Sequence, residues 1–283
     1  MKQFAIIGHP VAHTLSPVMH AAAFEALSLD CSYEAIDVEA DELAATIEDL
    51  RAKPIAGFNV TLPHKETLLP LLDELDPEVR QIGAVNTVVE RDGKLVGYNT
   101  DVAGFLRCAA PARSRIEGGH VALLGAGGAA RAVLYGLLHH LKPAKVTIFN
   151  RTLDRSEQLA QEFSSISSET RILTESLFDD NLQKNIKQVS AIINTTSVGM
   201  RPYADASPLE DVHIGKEQAV IDLVYAPLET KLLKSASKAG AMAIGGVEML
   251  LHQGAASFAL WTGKEMPLDQ VRKKVLERLN DSK

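Results

Sequence analysis

His120-Val121-Ala122-Leu123-Leu124-Gly125-Ala126-Gly127-Gly128-Ala129-Ala130-Arg131 decides the fold. A short apolar run ends in a glycine turn that opens straight into a helix-forming stretch, the context a dinucleotide-binding fingerprint requires. Gly125 permits the tight turn. Gly127 lets backbone amides approach a pyrophosphate seated on the positive end of the helix. Ala130 is the small residue that lets helix and strand pack closely. A glycine string alone is commonly just a turn, so it is the strand before it and the helix after it that carry the reading. Gly125, Ala126, Gly127, Gly128 and Ala129 are the expected phosphate-side contacts.

The next predicted strand, 145–149, is followed by Asn150-Arg151-Thr152-Leu153-Asp154-Arg155. An NAD site places Asp or Glu at this strand end to hold the ribose hydroxyls. Here two arginines stand instead, and guanidinium groups clamp a 2′-phosphate that a carboxylate would repel. At a helix start, positive charge is otherwise mildly unfavourable. Asn150, Arg151, Thr152 and Arg155 therefore point to NADP.

Outward from this centre, short β-type runs alternate with amphipathic helices, the pattern of parallel α/β architecture. Strands are expected over 3–7, 32–38, 55–60 and 86–90, with a hairpin through Asp92-Gly93 into 94–96. Helices are expected over 16–27, 41–52 and 76–82. After a loose segment at 111–119 come strand 120–124, helix 129–140, strand 145–149 and helix 153–163. A polar, variable loop is expected over 164–169, then strands over 191–194, 219–223 and 242–244. The chain ends in helices, 246–261 and one spacing Leu268, Val271, Val275 and Leu279 along one face. Helices after the last strand of a nucleotide domain often return to the first domain. The expected division is 1–102 with 238–283 as a substrate-binding domain with a mainly parallel sheet, and 103–237 as a Rossmann-type domain.

The 283 residues suit two domains, and 46% hydrophobic with 23% charged content is ordinary for a globular protein. A net charge of −7, few aromatics and one Trp argue against nucleic acid, which wants a basic face and stacking surfaces. Cys31 and Cys108 form neither a metal spacing nor a disulfide framework. The apolar run at the N-terminus is too short for a signal-peptide core, and no stretch reaches membrane length uninterrupted, so a cytoplasmic protein is expected. His9, His13 and His20 cluster without carboxylate or cysteine partners nearby, and no metal site is expected. Oligomeric state is not fixed by the sequence, which allows a homodimer.

Polar clusters follow the strands of the first hundred residues: Gly8-His9-Pro10-Val11-Ala12-His13-Thr14-Leu15-Ser16-Pro17, Asn59-Val60-Thr61-Leu62-Pro63-His64-Lys65, Gly83-Ala84-Val85-Asn86-Thr87 and Gly97-Tyr98-Asn99-Thr100-Asp101. With the glycine turn, Asn150-Arg151-Thr152, the stretch from Asn194 through Thr195 and Val198 to Met200, Asp222-Leu223-Val224-Tyr225-Ala226-Pro227 and Glu248-Met249-Leu250-Leu251-His252-Gln253-Gly254-Ala255, this ordered set resembles the shikimate dehydrogenase family. Single motifs would be weak; the order spans nearly the whole chain.

The resemblance implies NADP-dependent reduction of 3-dehydroshikimate to shikimate, with Lys65 and Asp101 as the catalytic pair. Hydride arriving at a ketone creates an alkoxide that an ammonium can stabilise and protonate. It implies Thr14 and Ser16 at the substrate carboxylate, Asn59, Thr61, Asn86 and Gln253 at the ring hydroxyls, and Tyr225 lining the site. Ser16 before Pro17 also reads as a helix N-cap. Asn194, Thr195, Val198 and Met200 are implied at the nicotinamide, with Leu223, Gly246 and Met249 as further cofactor contacts. Met249 and Gln253, four apart, share a helix face. Thr14 stands where the family often has Ser, Val102 where Gly is frequent and Lys231 where Pro is common; none removes a catalytic group. The rival readings are a quinate/shikimate dehydrogenase, a catalytically silent nucleotide-binding regulator and, more distantly, a one-carbon-folate dehydrogenase.

Overall fold

A computed structural model describes every residue except Ser167, Ser168, Asp211, Ser282 and Lys283. The expected loop over 164–169 and the end of the C-terminal segment therefore lie partly outside the described residues. The chain divides into two compact units, Met1–Gly104 with Leu251–Lys283, and Phe105–Leu250.

The first unit is built on a mixed sheet of β1 (Lys2–Gly8), β2 (Cys31–Asp37), β3 (Ile55–Val60), β4 (Glu74–Leu75), β5 (Thr87–Arg91) and β6 (Lys94–Tyr98), ordered β2-β1-β3-β5-β6-β4. β1 runs parallel to both its neighbours. β5 is antiparallel to β3, and antiparallel to β6 because the hairpin expected at Asp92-Gly93 forms, with both turn residues at positive φ. Ala5, Ile7, Phe58, Val60 and Val88 fill the core against Ile47, Leu50, Leu68 and Val79.

The C-terminal helices Val247–Thr262 and Leu268–Asp281 supply the other face. Val271, Val275 and Leu279 are buried at the expected spacing. Trp261 Nε1 donates to Val88 O at 2.9 Å, and its ring stacks on Phe4 with centroids 4.9 Å apart. Gly57 is required beneath it, because a Cβ there would collide with the indole nitrogen and stand 2.6 Å from Val88 O. Burying a ring such as Phe258, fully enclosed here, stabilises by roughly 1.5–3 kcal/mol.

The second unit carries β7 (His120–Leu124), β8 (Lys145–Asn150), β9 (Arg171–Ser176), β10 (Ala191–Asn194), β11 (Ala219–Asp222) and β12 (Met242–Gly245). They form one parallel sheet ordered β12-β11-β10-β7-β8-β9. Read from β9, its strands come third, second, first, fourth, fifth and sixth in the chain, the order of a doubly wound dinucleotide-binding sheet. β10 and β11 are buried at every residue, as strands covered on both faces should be. The chain reverses its direction of winding between β7 and β10, where such sheets open a crevice for ligands.

Several expectations need correcting. β12 pairs with β11 in the second sheet, so the division falls at Leu251 and not at 238. The loose segment at 111–119 contains a 3₁₀ turn and the short helix Arg113–Ile116, pinned by buried Ala112 and Ile116. The helix over 129–140 runs from Gly128 to Gly136 and ends in a π turn, Leu137–Leu141, closed by left-handed Lys142. β4, β9 and the helix Lys231–Lys238 were not foreseen. No helix among the described residues is long and apolar enough to cross a membrane.

Candidate active site

In the first unit, four loops bring the polar clusters together. His64 is fully buried and its Nε2 pairs with Val38 O at 2.7 Å, fixing the loop after β3. The Val85 amide donates to Lys65 O at 2.8 Å, which draws Lys65 beside Asn86. Asp101 opens the helix Asp101–Ala109, its amide held by Asn99 Oδ1 at 3.0 Å. Lys65 Nζ donates to Asp101 Oδ2, and the two side chains are 15% and 5% exposed. The pair is nearly dry, so the interaction is little screened and its geometry is strongly held.

Asn86 locks the other carboxylate oxygen. Its Nδ2 donates to Asp101 Oδ1 at 2.8 Å and Thr100 Oγ1 at 2.9 Å, and approaches Gln253 Oε1 at 3.4 Å. Asn86 Oδ1 accepts from the Thr100 amide at 2.7 Å. Asn59 is engaged in the same way, its Nδ2 donating to Asn86 O, Thr87 Oγ1 and Ser257 Oγ at 3.0–3.1 Å. Thr87, Thr100 and Ser257 thus form a buried hydroxyl core beneath both amides, with Oγ distances of 2.7–3.2 Å. Both amide groups are therefore held by the protein, Asn86 through its nitrogen and its oxygen alike. Thr61 is partly exposed, with its amide on Ile7 O at 2.9 Å, at the end of β3.

Ser16 departs from the expectation of an N-cap. The helix Ser16–Ala26 is preceded by Leu15 in helical geometry and has no side-chain cap. Ser16 is 4% exposed, and Thr14 Oγ1 accepts its amide at 3.3 Å and donates to its Oγ at 3.2 Å. Two participants were missed. Ser257 lies four residues after Gln253, and that spacing would have placed it on the same face. Tyr33 donates to Asn59 Oδ1 at 2.7 Å from the middle of β2, and nothing in its local pattern marks it. Burial pushes the Tyr33 phenol well above its ordinary pKa, a hydrogen bond from Ser16 working against it.

In the second unit the glycine turn adopts the geometry its sequence demands. Gly125 has φ +106°, donates to Phe149 O at 2.8 Å, and leaves no room for a Cβ, which would stand 2.8 Å from Thr195 Oγ1. At Gly127 a Cβ would meet nothing within 4 Å, so the space over the helix start is open. The first intrahelical bond is from Arg131 N to Gly127 O, which leaves the amides of Gly128, Ala129 and Ala130 ahead of it. At the end of β8, Asn150 Nδ2 donates to Thr152 O at 2.7 Å, and Arg151 and Arg155 are exposed. Arg131, 8% exposed, pairs with Glu162 at 2.6 Å and ties the two flanking helices together.

The loop after β10 is organised by Asn194, which is fully buried. Its Oδ1 accepts from the Thr196 amide and hydroxyl at 3.0 and 2.7 Å, and its Nδ2 donates to Asp222 Oδ1 at 2.9 Å. Asp222 Oδ2 accepts from Thr230 Oγ1 at 2.6 Å. Burial raises the Asp222 carboxyl, with the Thr230 and Asn194 bonds opposing. Thr195 is held on Leu124 O at the end of β7, Val198 is 36% exposed and Met200 partly exposed. Leu223 donates to Asn194 O, and Gly246 lies so close to the Leu223 carbonyl that no Cβ fits. Tyr225 and Met249 belong to this second unit, whereas Gln253 belongs to the first. Among the described residues no three His, Cys, Asp or Glu gather as a metal site. Cys31 and Cys108 are free, and burial pushes the Cys108 thiol up to about 12.

Comparison with known proteins agrees with this arrangement. Residues 6–88 match the shikimate dehydrogenase substrate binding domain, 108–224 the shikimate / quinate 5-dehydrogenase family and 246–276 the shikimate 5′-dehydrogenase C-terminal domain. A shikimate dehydrogenase (NADP+) of Nitrosopumilus maritimus is 42% identical over 275 residues, covering 97% of this chain and 98% of that one. Its counterpart in Bacillus cereus is 39% identical over 281 residues, covering 99% of each. The crystal structure of the Thermus thermophilus shikimate 5-dehydrogenase in complex with NADP(H) and shikimate superposes with a TM-score of 0.85 at 39% identity, covering 99% and 100%. Motif order, strand order and likeness along the full length converge: the chain belongs to the shikimate dehydrogenase (NADP+) family.

Proposed function

We propose that the chain catalyses the reversible, NADPH-dependent reduction of 3-dehydroshikimate to shikimate, a step toward chorismate and the aromatic amino acids. The observation that carries this is the nearly dry Lys65–Asp101 pair locked by Asn86, in a chain whose full-length relatives are shikimate dehydrogenases. When bound, NADPH supplies the hydride. Lys65 stabilises the alkoxide that forms at the substrate ketone and gives it a proton from its ammonium group; in the reverse direction neutral Lys65 takes the hydroxyl proton. Asp101 holds Lys65 in place and balances its charge, and Asn86 holds Asp101.

Thr14 and Ser16 are assigned to the substrate carboxylate, where two hydroxyls beside a helix start suit an anion. Asn59, Thr61, Asn86 and Gln253 are assigned to the ring hydroxyls, and Tyr225 to the lining. The open space over Gly127, the amides of Gly128 and Ala129 and the turn of Gly125 and Ala126 fit a pyrophosphate. Asn150, Arg151, Thr152 and Arg155 fit an adenosine 2′-phosphate, and Thr195, Val198, Met200, Leu223, Gly246 and Met249 are assigned to the nicotinamide side. The reading carries a cytoplasmic location with it and allows a homodimer.

Lys65→Ala tests it. Turnover should fall by roughly 10²–10⁴-fold while shikimate still binds. A variant keeping half its kcat would remove Lys65 from the mechanism.

A further inference from the structure

β10 and β11 end side by side on two fully buried polar residues, Asn194 and Asp222, which face each other in the parallel register after otherwise apolar strands. Each closes a turn on the residue two further on: Asn194 Oδ1 accepts the Thr196 amide at 3.0 Å, and Asp222 Oδ1 accepts the Val224 amide at 3.1 Å. Asn194 Nδ2 donates to Asp222 Oδ1 at 2.9 Å, so the two turns are cross-linked. The link extends both ways. Thr196 Oγ1 donates to Asn194 Oδ1 at 2.7 Å and accepts the Val198 amide at 3.2 Å. Asp222 Oδ2 accepts from Thr230 Oγ1 at 2.6 Å, and that hydroxyl accepts the Leu233 amide at 3.2 Å as the cap of helix Lys231–Lys238. Gly199, at φ +92°, lies against Thr230, where a Cβ would stand 3.7 Å from Thr230 Cβ. On its other side the loop abuts the glycine turn, and Thr195 Oγ1 donates to Leu124 O at 2.7 Å. The sheet itself does not need these polar groups, because a buried hydrogen-bonded pair can be replaced by apolar groups of the same shape at little cost. What they fix is the backbone that leaves the two strands.

We propose that Asp222 is a positioning residue for hydride transfer, holding through Asn194 the loop 195–200 against which the nicotinamide is seated. The inference rests on the assignment of Thr195, Val198 and Met200 to the nicotinamide side. Asp222 is enclosed and acts only through its neighbours. Its Oδ1 sets the plane of the Asn194 amide, which turns Asn194 Oδ1 toward Thr196, and Thr196 in turn fixes the Val198 amide. Val198 is 36% exposed and Met200 partly exposed, so the anchored backbone carries accessible side chains on a rigid base. Without the Asp222 acceptor, Asn194 loses the bond that orients it and the chain of bonds to Val198 loses its root. Hydride transfer is sensitive to such a loss, since a misplacement of about 1 Å costs on the order of 10²-fold. The adenosine end of the cofactor is assigned to other residues, at the end of β8, and stays as it is.

The test measures three quantities: the single-turnover rate of NADPH formation at saturating shikimate, KM for shikimate, and Kd for 2′,5′-ADP, which carries the adenosine 2′-phosphate but no nicotinamide. Asp222→Ala should slow the single turnover on the order of 10- to 10²-fold, with KM and Kd within about twofold of wild type. Asp222→Asn should recover the rate to within about threefold, because its oxygen still accepts from Asn194 and Val224 while its NH₂ donates to Thr230 Oγ1. Thr196→Val cuts the chain of bonds at a partly exposed residue, and so reads the same effect even if Asp222→Ala does not fold. It should slow the step about three- to tenfold, the value of one ordinary hydrogen bond. If rate, KM and Kd all worsen together in folded variants, Asp222 merely supports the unit and the proposal is wrong. An unchanged rate in Thr196→Val, or an Asp222→Asn as slow as Asp222→Ala, overturns it as well. The double variant Val198→Ala, Met200→Ala tests the assignment beneath. If it slows the turnover while Asp222→Ala does not, the assignment stands and the proposal fails. If it leaves the rate and KM for NADP+ unchanged, the nicotinamide assignment itself fails, and the role of Asp222 with it.

Discussion

Asp101→Asn replaces a single oxygen with an NH₂ group and should disable the enzyme, because an amide cannot serve both neighbours of this carboxylate. Asp101 Oδ2 receives Lys65 Nζ and Oδ1 receives Asn86 Nδ2 at 2.8 Å, so both oxygens accept from donors. In the variant, turning the amide oxygen to Lys65 sets its NH₂ against Asn86 Nδ2. The opposite rotamer sets it against the lysine ammonium. Either way one donor faces another, and Lys65, only 15% exposed, loses its counter-charge. Removing one partner of a buried pair costs about 3–5 kcal/mol; the residual access of Lys65 to water brings the expected loss of stability to about 2–3 kcal/mol. Asn86 cannot turn away, since its Oδ1 is held by the Thr100 amide and its Nδ2 by Thr100 Oγ1. A displaced Lys65 then meets the alkoxide badly, and kcat/KM should fall by roughly 10²–10⁴-fold, the scale of a lost acid–base contribution. Urea unfolding and initial rates of NADPH formation measure the two effects separately. A folded variant with kcat/KM within threefold of wild type would refute the reasoning, since the carboxylate charge would then be dispensable.

Two further outcomes are expected. The double variant Arg151→Ala, Arg155→Ala should bind NADP roughly 30-fold to 10³-fold more weakly with NAD almost unaffected, because two charge-assisted contacts at a partly wet rim are lost; equal loss for both cofactors in kcat/KM would show that the arginines do not read the 2′-phosphate. Burial lowers the His20 pKa from 6.5 to about 3, so below the unfolded value the unfolded chain binds a proton that the native state refuses. Stability should therefore decline as pH falls, by about 2 kcal/mol of the total between neutrality and about pH 5, and His20→Phe should flatten that decline; an unchanged acid slope in urea titrations would clear His20.

The nucleotide half was legible because its requirements are local. The strand, the positive φ at Gly125 and the open space at Gly127 follow from a few adjacent residues, and the buried runs of β10 and β11 leave little alternative to a parallel sheet. β9 and β4 escaped notice because they lie at sheet edges and neither is buried at any residue, so neither has a strong apolar alternation. The boundary was misplaced because helix Val247–Thr262 begins immediately after β12 and runs on into the first unit without a break in pattern. In the candidate site, Lys65 and Asp101 were singled out by motif context. Ser257 and Tyr33 were not, since their significance arises only when residues far apart in the chain meet: Ser257 reaches Asn59 across 198 positions and Tyr33 reaches it across 26. Ser16 read as a cap because Ser before Pro commonly is one, but Leu15 is already helical and the hydroxyl turns to Thr14's instead.

The decisive measurement is kcat/KM of the purified wild type for shikimate and quinate, each with NADP+ and with NAD+. Shikimate with NADP+ should exceed every other pairing by at least about tenfold, as the hydroxyl pair Thr14–Ser16 and the exposed arginines at the end of β8 require. Equal use of quinate and NAD+ would make this a broader quinate/shikimate dehydrogenase and reduce Arg151 and Arg155 to ordinary surface charge. No turnover with any pairing would contradict a catalytic role for Lys65 and Asp101 altogether.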